Sequence, residues 1–426
     1  MFGEGGTGPS EPVLLTAQDE AILHLEGRLL VGHTCKVIAL AAPAPSLEEL
    51  QARGAERIAA VPELAMRLGT SNGHAAWVSD PAFDPRGHLV EAAGGAELDE
   101  RALRAEVARV FSERLDRGRP LWRIDVARLV DGGAALVWRL HHTLADGTTA
   151  MRFARMLLWD GNAEATSPAA ARAARLADQR RRRAHLARFF AREFARAPSP
   201  LDGKIGMRRE VAFASVPLRP LHDAARGLAG ATLNDAMLSA VGGGLRQWIE
   251  RRHGRLGTVR VKVPVSLHHP GEDAANADSF FIVDVPLAES DPVRRLRLVR
   301  EGTAARKAEH DAESMDRLLA ELRGAHLAGL CEKVERSGRA FALNVSNVPG
   351  PKAPVSVLGA DVVAMHSLAE IGLHQALRVA VVSMCDTLYL GFCADAAVVG
   401  DVQEIASATQ REALAIVAAD GARQAV

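Results

Sequence analysis

Two apolar runs, Leu121–Val130 and Ala134–Leu140, flank the tripeptide Asp131-Gly132-Gly133. Apolar runs of strand length around a glycine-bearing turn predict a β-hairpin, because glycine adopts the positive φ that tight turns demand. His141 and His142 follow the second strand directly. Asp146-Gly147 then leads into Thr148–Trp159, whose apolar spacing is helical. Two histidines are thereby predicted at a strand end, where a rigid scaffold can project them into a cleft.

The chain has 426 residues, too many for one ordinary core, so two lobes are expected. Cys35–Ala42 reads as a strand and Ser46–Leu68 as a helix, with Ser46 as N-cap and Glu48 and Glu49 in its first turn. Leu98–Leu115 reads as an amphipathic helix that Arg117-Gly-Arg-Pro120 breaks. After about residue 210 come a strand at Val211–Val216 and a helix opened by Thr232-Leu-Asn234-Asp235. Strands at Thr258–Val265, Phe280–Val285, Phe341–Ser346, Val362–Met365, Arg378–Met384 and Thr387–Phe392 precede a closing helix, Val402–Ala419. Strands and helices mix without strict βαβ alternation. The fold class is therefore α/β in the layered α+β sense, with a mixed sheet in each of two lobes. The expected division is an N-terminal lobe over 1–165, an Arg-rich amphipathic crossover over 166–209 and a C-terminal lobe over 210–426.

Lys+Arg and Asp+Glu number 52 each. Nucleic-acid binding normally demands a basic excess, so no nucleic-acid partner is expected. The four cysteines, Cys35, Cys331, Cys385 and Cys393, form no CxxC pair, which fits a reduced cytoplasmic setting. The opening Met1-Phe-Gly-Glu-Gly-Gly lacks the basic start and apolar core of a secretory signal, and no 18-residue apolar run suggests a membrane span.

A histidine titrates near neutral pH, so it can accept and return a proton in one catalytic cycle. His142 and Asp146 lie four residues apart, with Gly147 permitting an unusual turn between strand and helix. This suits proton abstraction from a hydroxyl. No Ser or Cys sits in a nucleophile-elbow setting, so direct transfer in a ternary complex is expected rather than a covalent intermediate. The bare pattern also reads as a polar strand terminus followed by a turn. A metal site is not expected, because adjacent strand residues point to opposite faces and His141 and His142 can hardly share an ion.

The run LWRIDVARLVDGGAALVWRLHHTLADGTTAMRF resembles the active-site region of the bacterial wax ester synthase/diacylglycerol acyltransferase family. That family belongs to the chloramphenicol acetyltransferase-like superfamily, which shares HHxxxDG. Pro120-Leu121-Trp122, Asn234-Asp235, Pro264-Val265-Ser266 and Asn344–Pro351 resemble further family blocks, in the right order. The match runs from about Leu15 to Ala419. The resemblance implies two similar acyltransferase lobes with a tunnel between them. It implies acyl-CoA as co-substrate, no permanently bound cofactor, and diacylglycerol or a long-chain alcohol as acceptor. His142 would be the general base, and His141 and Asp146 would be structural. Gly147 would leave room beside His142 for substrate. Asn234 would contact the reacting centre or cap its helix, and Trp122 would line the tunnel or the core. Positions 267–269 depart from the family, reading Leu-His-His where a basic residue is usual. Within the superfamily, a natural-product acyltransferase or condensation-type enzyme fed by a carrier protein is an alternative. A catalytically idle scaffold is another.

Between Arg172 and Arg196 lie nine arginines. On a helix, Phe189, Phe190 and Phe194 share one face with Leu186, opposite Arg181, Arg188 and Arg192. Anionic headgroups would favour such a helix by roughly 1 kcal/mol per basic residue. The segment therefore reads either as a membrane or lipid-droplet contact or as a soluble helix docking its phenylalanines. The first reading would place the protein in the cytoplasm, peripheral on the inner membrane face or on lipid inclusions.

Overall fold

The computed structural model describes residues 11–161, 199–254, 257–266, 278–308 and 341–424. The interfacial reading of Phe189, Phe190 and Phe194 falls outside them. The first part runs β1 (Val13–Leu14), α1 (Ala17–Leu25), β2 (His33–Leu40), α2 (Leu47–Arg57), β3 (Met66–Ser71), β4 (His74–Ser79), β5 (Leu89–Glu91), β6 (Glu97–Leu98), α3 (Glu100–Phe111), β7 (Trp122–Leu129), β8 (Ala134–His141) and α4 (Gly147–Leu157). Then come β9 (Arg209–Pro217), α5 (Leu218–Ala229), α6 (Leu233–His253), β10 (Thr258–Ser266), β11 (Asp278–Pro286) and α7 (Pro292–Ala308). The last part is β12 (Leu343–Pro349), β13 (Ser356–Val357), β14 (Ala360–Ala369), β15 (Leu377–Met384), β16 (Thr387–Asp395) and α8 (Val402–Gln424). Among the described residues, no helix is long and apolar enough to cross a membrane.

Ser46 caps α2 as predicted: its Oγ accepts from the Glu49 N–H at 3.2 Å, and the Glu49 carboxylate accepts from the Ser46 N–H at 2.8 Å. The predicted helix over Ser46–Leu68 ends early, at Arg57. Two 3₁₀ turns follow, Pro62 opening the second, and Met66 begins β3. Proline cannot donate inside a helix, so it starts a new turn instead of continuing the old one.

Two compact units emerge. Among the described residues, the first holds 11–161, 207–209 and 348–370. Its main sheet has the order β13-β14-β2-β8-β7-β5, with a smaller sheet β1-β4-β3. Every residue of β8 is buried, so the sheet is covered on both faces. The β7–β8 hairpin closes as predicted, the Leu129 N–H donating to the Gly133 carbonyl at 3.0 Å. Among the described residues, the second unit differs from the expected C-terminal lobe over 210–426 in gaining 199–206 and in losing 348–370. Residues 348–370 leave that stretch because β14 pairs with β2, placing Ser367 opposite Lys36.

The second unit has a six-stranded sheet of order β11-β10-β12-β15-β16-β9. The helices α5, α6, α7 and α8 pack on one another within it. Arg295 of α7 is fully buried and reaches the Glu412 carboxylate of α8 and the Ser239 carbonyl of α6, the latter at 2.9 Å.

Candidate active site

The end of β8 divides two adjacent histidines into different environments. His141 is the last strand residue and is buried, paired across the sheet with buried His33. Its Nδ1 lies 2.7 Å from the Thr143 Oγ1 and accepts from the Thr143 N–H at 3.3 Å. That acceptor role leaves the proton on Nε2, which faces a Glu26 oxygen at 3.5 Å. Burial raises the Glu26 pKa. Its contacts with His141, Arg117 and Arg114 outweigh that effect and bring it down from 4.5 to about 2. Both arginines donate Nε–H to it at 2.8 Å. His141 is thus buried with Nδ1 on Thr143 and Nε2 beside the Glu26 carboxylate, and it has no open side for substrate.

His142 is only partly buried, whereas His141 beside it is 1% exposed. The His142 N–H donates to the Gly32 carbonyl at 2.9 Å. Gly32 has φ +70° and a Cβ there would lie 2.5 Å from the His141 Nε2. Only glycine takes this backbone shape and also leaves the His141 ring its place. One residue thereby seats both histidines, by its carbonyl and by its missing side chain.

The loop from His142 folds back on the strand end: the Leu144 and Ala145 N–H groups donate to the His141 carbonyl at 2.9 and 3.1 Å. Leu144 packs on a small core of Met66, Trp77, Leu115 and Leu121. Asp146 is buried and caps α4, its Oδ1 accepting from the Thr149 N–H at 2.6 Å. Its carboxylate also acts on a buried lysine on β2. Burial pulls Lys36 from 10.5 down to about 8, with Cys35 and Asp146 opposing that shift. The Lys36 ammonium donates to the Ser367 Oγ at 2.7 Å. Cys35 beside it is no nucleophile, because burial pushes its thiol up to about 12.

Gly147 lies against a side chain of β12. A Cβ there would lie 2.6 Å from the Val348 Cγ2. Among the described residues, no group of three or more His, Cys, Asp or Glu side chains is placed to hold a metal ion.

The wax ester synthase/diacylglycerol acyltransferase catalytic domain matches residues 15–175, and the C-terminal domain of the same family matches 274–416. The two matches cover more than half of the chain. The chain belongs to this acyltransferase family. It is 27% identical over 403 residues to a Mycobacterium tuberculosis protein named "Probable diacyglycerol O-acyltransferase tgs1", spanning 85% of this chain and 86% of that protein. The solved wax ester synthase/diacylglycerol acyltransferase of Marinobacter aquaeolei VT8 shares the fold, with a TM-score of 0.73 at 21% identity over 96% of this chain and all of that one. The first condensation domain of the calcium-dependent antibiotic synthetase has a TM-score of 0.62 at 18% identity, over 96% of each chain.

The structure also places the residues of two further family blocks. Trp122, a candidate substrate contact, is 1% exposed, its Nε1–H donating to the Leu64 carbonyl at 2.7 Å. His88 stacks on it at 4.6 Å between centroids, and the edge of Trp138 approaches at 6.4 Å. It is therefore core and not an open wall. Asn234 does not cap α6. Thr232 does, in a capping box with Asp235, whose other oxygen accepts from the Thr303 hydroxyl at 2.6 Å. The buried member of the Asn-Asp block thus ties α6 to α7, and Asn234 sits one position into the helix, partly exposed. Glu26, Gly32 and His33 escaped the sequence reading. The signal available was a Gly-His pair at the mouth of the apolar strand that pairs with β8.

Proposed function

We propose that this enzyme transfers a long-chain acyl group from acyl-CoA to diacylglycerol, a long-chain alcohol or both, with His142 as the general base. The observation that carries the assignment is the division at the strand end: His141 is buried between Thr143 and the Glu26 carboxylate, and His142 is the partly exposed histidine of the pair. His142 takes the proton of the acceptor hydroxyl as its oxygen attacks the thioester carbonyl carbon. The tetrahedral intermediate collapses by breaking the carbon–sulfur bond, and the protonated His142 returns the proton to the departing sulfur. The products are an ester and free coenzyme A. No acyl-enzyme intervenes, in keeping with the inert thiol of Cys35. The acyl chain and the acceptor make a membrane or lipid-inclusion surface the natural place of work.

The test is thiol release from palmitoyl-CoA with diacylglycerol and hexadecanol offered in parallel, and His142→Ala as control. Ester formation that depends on His142 supports the reading, and the product ratio names the preferred acceptor. Equal turnover by the variant would remove the base assignment. No release with either acceptor would turn the search to carrier-protein donors.

A further inference from the structure

The Gly32 carbonyl can orient His142 only if Gly32 is itself held, and the segment before it lies outside any strand. Between α1 and β2 the chain runs through residues 26–32 as a turn and coil, with the Gly27 N–H donating to the Leu30 carbonyl at 2.9 Å. Leu29 is 37% exposed, so its side chain does not anchor the segment in the core. The hold is polar and comes from residues far along the chain. The Glu370 carboxylate, just beyond β14, splits its two oxygens between two tasks. Oε2 accepts from the Val31 N–H at 3.0 Å, and Oε1 accepts from the Arg209 Nε–H at 3.0 Å. The same guanidinium donates to the Leu29 carbonyl. The Arg209 N–H donates to the Ser112 Oγ at 3.3 Å, and that hydroxyl donates to the Ala108 carbonyl of α3 at 2.7 Å.

We propose that Arg209 and Glu370 are positioning residues for the acyl transfer, clamping residues 29–31 so that the Gly32 carbonyl presents His142 to the reacting hydroxyl. The proposal rests on the reading of His142 as the base. The Arg209 and Glu370 side chains are 1% and 9% exposed. A buried ion pair contributes little net stability compared with apolar groups of the same volume. What it supplies here is direction, because a carboxylate and a guanidinium each serve two partners in fixed planes. Both grip the backbone within three residues of Gly32, and the next bond in the chain of contacts is the His142 N–H.

The experiment compares Glu370→Ala, Glu370→Gln and Arg209→Lys with the full-length enzyme. Steady-state kinetics with palmitoyl-CoA would be combined with amide hydrogen exchange read by mass spectrometry. Glu370→Ala is expected to lower kcat by roughly ten- to a hundredfold, as small misplacements of reacting groups do, and to leave KM for palmitoyl-CoA within about twofold. Glu370→Gln keeps an acceptor for Val31 and should recover part of kcat. If Glu370→Ala does not fold, Glu370→Gln and Arg209→Lys carry the test, each with a smaller kcat loss of the same kind. Exchange should quicken at residues 29–33 and 141–146, where the His142 amide reports directly, and stay unchanged over α3. Unchanged exchange at 141–146, or loosening spread evenly through the unit, would overturn the clamp. Turnover retained by His142→Ala would instead overturn the base reading, and the exchange result would still decide whether the clamp exists.

Discussion

Each unit contains the same local motif, and only one of the two copies carries a histidine pair. In the first, the hairpin β7–β8 ends at His141, five residues turn back, and α4 begins at Gly147. In the second, the hairpin β15–β16 ends at Asp395, six residues turn back, and α8 begins at Val402. The backbone bond that closes the turn is alike: Ala145 N–H to the His141 carbonyl at 3.1 Å, and Val399 N–H to the Asp395 carbonyl at 2.9 Å. The difference is how the last strand residue spends its side chain. Asp395 is fully buried and gives its oxygens to the amides of Gly206, Ala397 and Val398 at 2.6, 3.0 and 3.1 Å. His141 sets its Nδ1 on Thr143 and its Nε2 3.5 Å from Glu26, and the residue after it is a partly exposed histidine. The comparison teaches that the motif's first polar residue secures the turn in both units. The two copies part at the second position, where the first unit has the proposed base His142 and the second has Ala396.

The strongest way to break this comparison is at His142. His142→Ala should lower kcat by about 10³-fold, the usual scale for losing a general base, and leave the melting temperature nearly unmoved. A large fall in melting temperature would make His142 a structural residue like its neighbour. The matching change in the other copy should do the opposite. Asp395→Ala strips three backbone amides of their acceptor, at a cost on the order of 3 kcal/mol. Urea unfolding would read that loss, and turnover per folded molecule should remain. A variant that is stable and inactive would show that this loop also serves catalysis.

Much of the histidine-bearing copy was legible because it is local. Asp131-Gly132-Gly133 marked the hairpin, and His141, His142 and Asp146 followed it within one short loop. What places them was not legible, because it arrives through strand pairing across long stretches of chain. Glu26 and Gly32 come with β2, Glu370 with β14, and Arg209 with the start of β9. No spacing rule along the sequence joins these residues to His142. The overrun of the predicted helix past Arg57 has a different cause. Val61, Leu64 and Leu68 continue a helical apolar spacing, yet Pro62 interrupts the hydrogen bonds that would carry it.

The Glu26 network predicts a pH signature. The folded pKa lies below the unfolded one, so its stabilisation is complete above about 4.5 and is lost as pH falls through about 2. Glu26→Gln keeps an acceptor for His141 but drops the charge. It should cost roughly 2 kcal/mol at pH 7, less than the shift alone implies, because Arg114 and Arg117 are 47% and 42% exposed and screened by solvent. Stability measured against pH should show the two proteins converging between pH 4.5 and 2. A difference that persists unchanged at pH 2 would mean that packing, not charge, holds His141.

The smallest effect separates two meanings of Gly147. Alanine is the better helix former at the first position of α4, by up to about 1 kcal/mol. Against that gain stands a Cβ placed 2.6 Å from the Val348 Cγ2. Valine is stiff about χ1 and cannot swing clear, so overpacking should win and Gly147→Ala should cost about 1 kcal/mol net. Val348→Ala opens the same space. In the double variant the clash is gone and the helix gain remains, so the double-mutant cycle should show a favourable coupling of about 1 kcal/mol or more. If instead Gly147 keeps space for the acceptor, Gly147→Ala would fold with wild-type stability, raise KM for the alcohol, and show no coupling to Val348. The cycle therefore decides whether the glycine of the motif serves the packing of the loop or the entry of substrate.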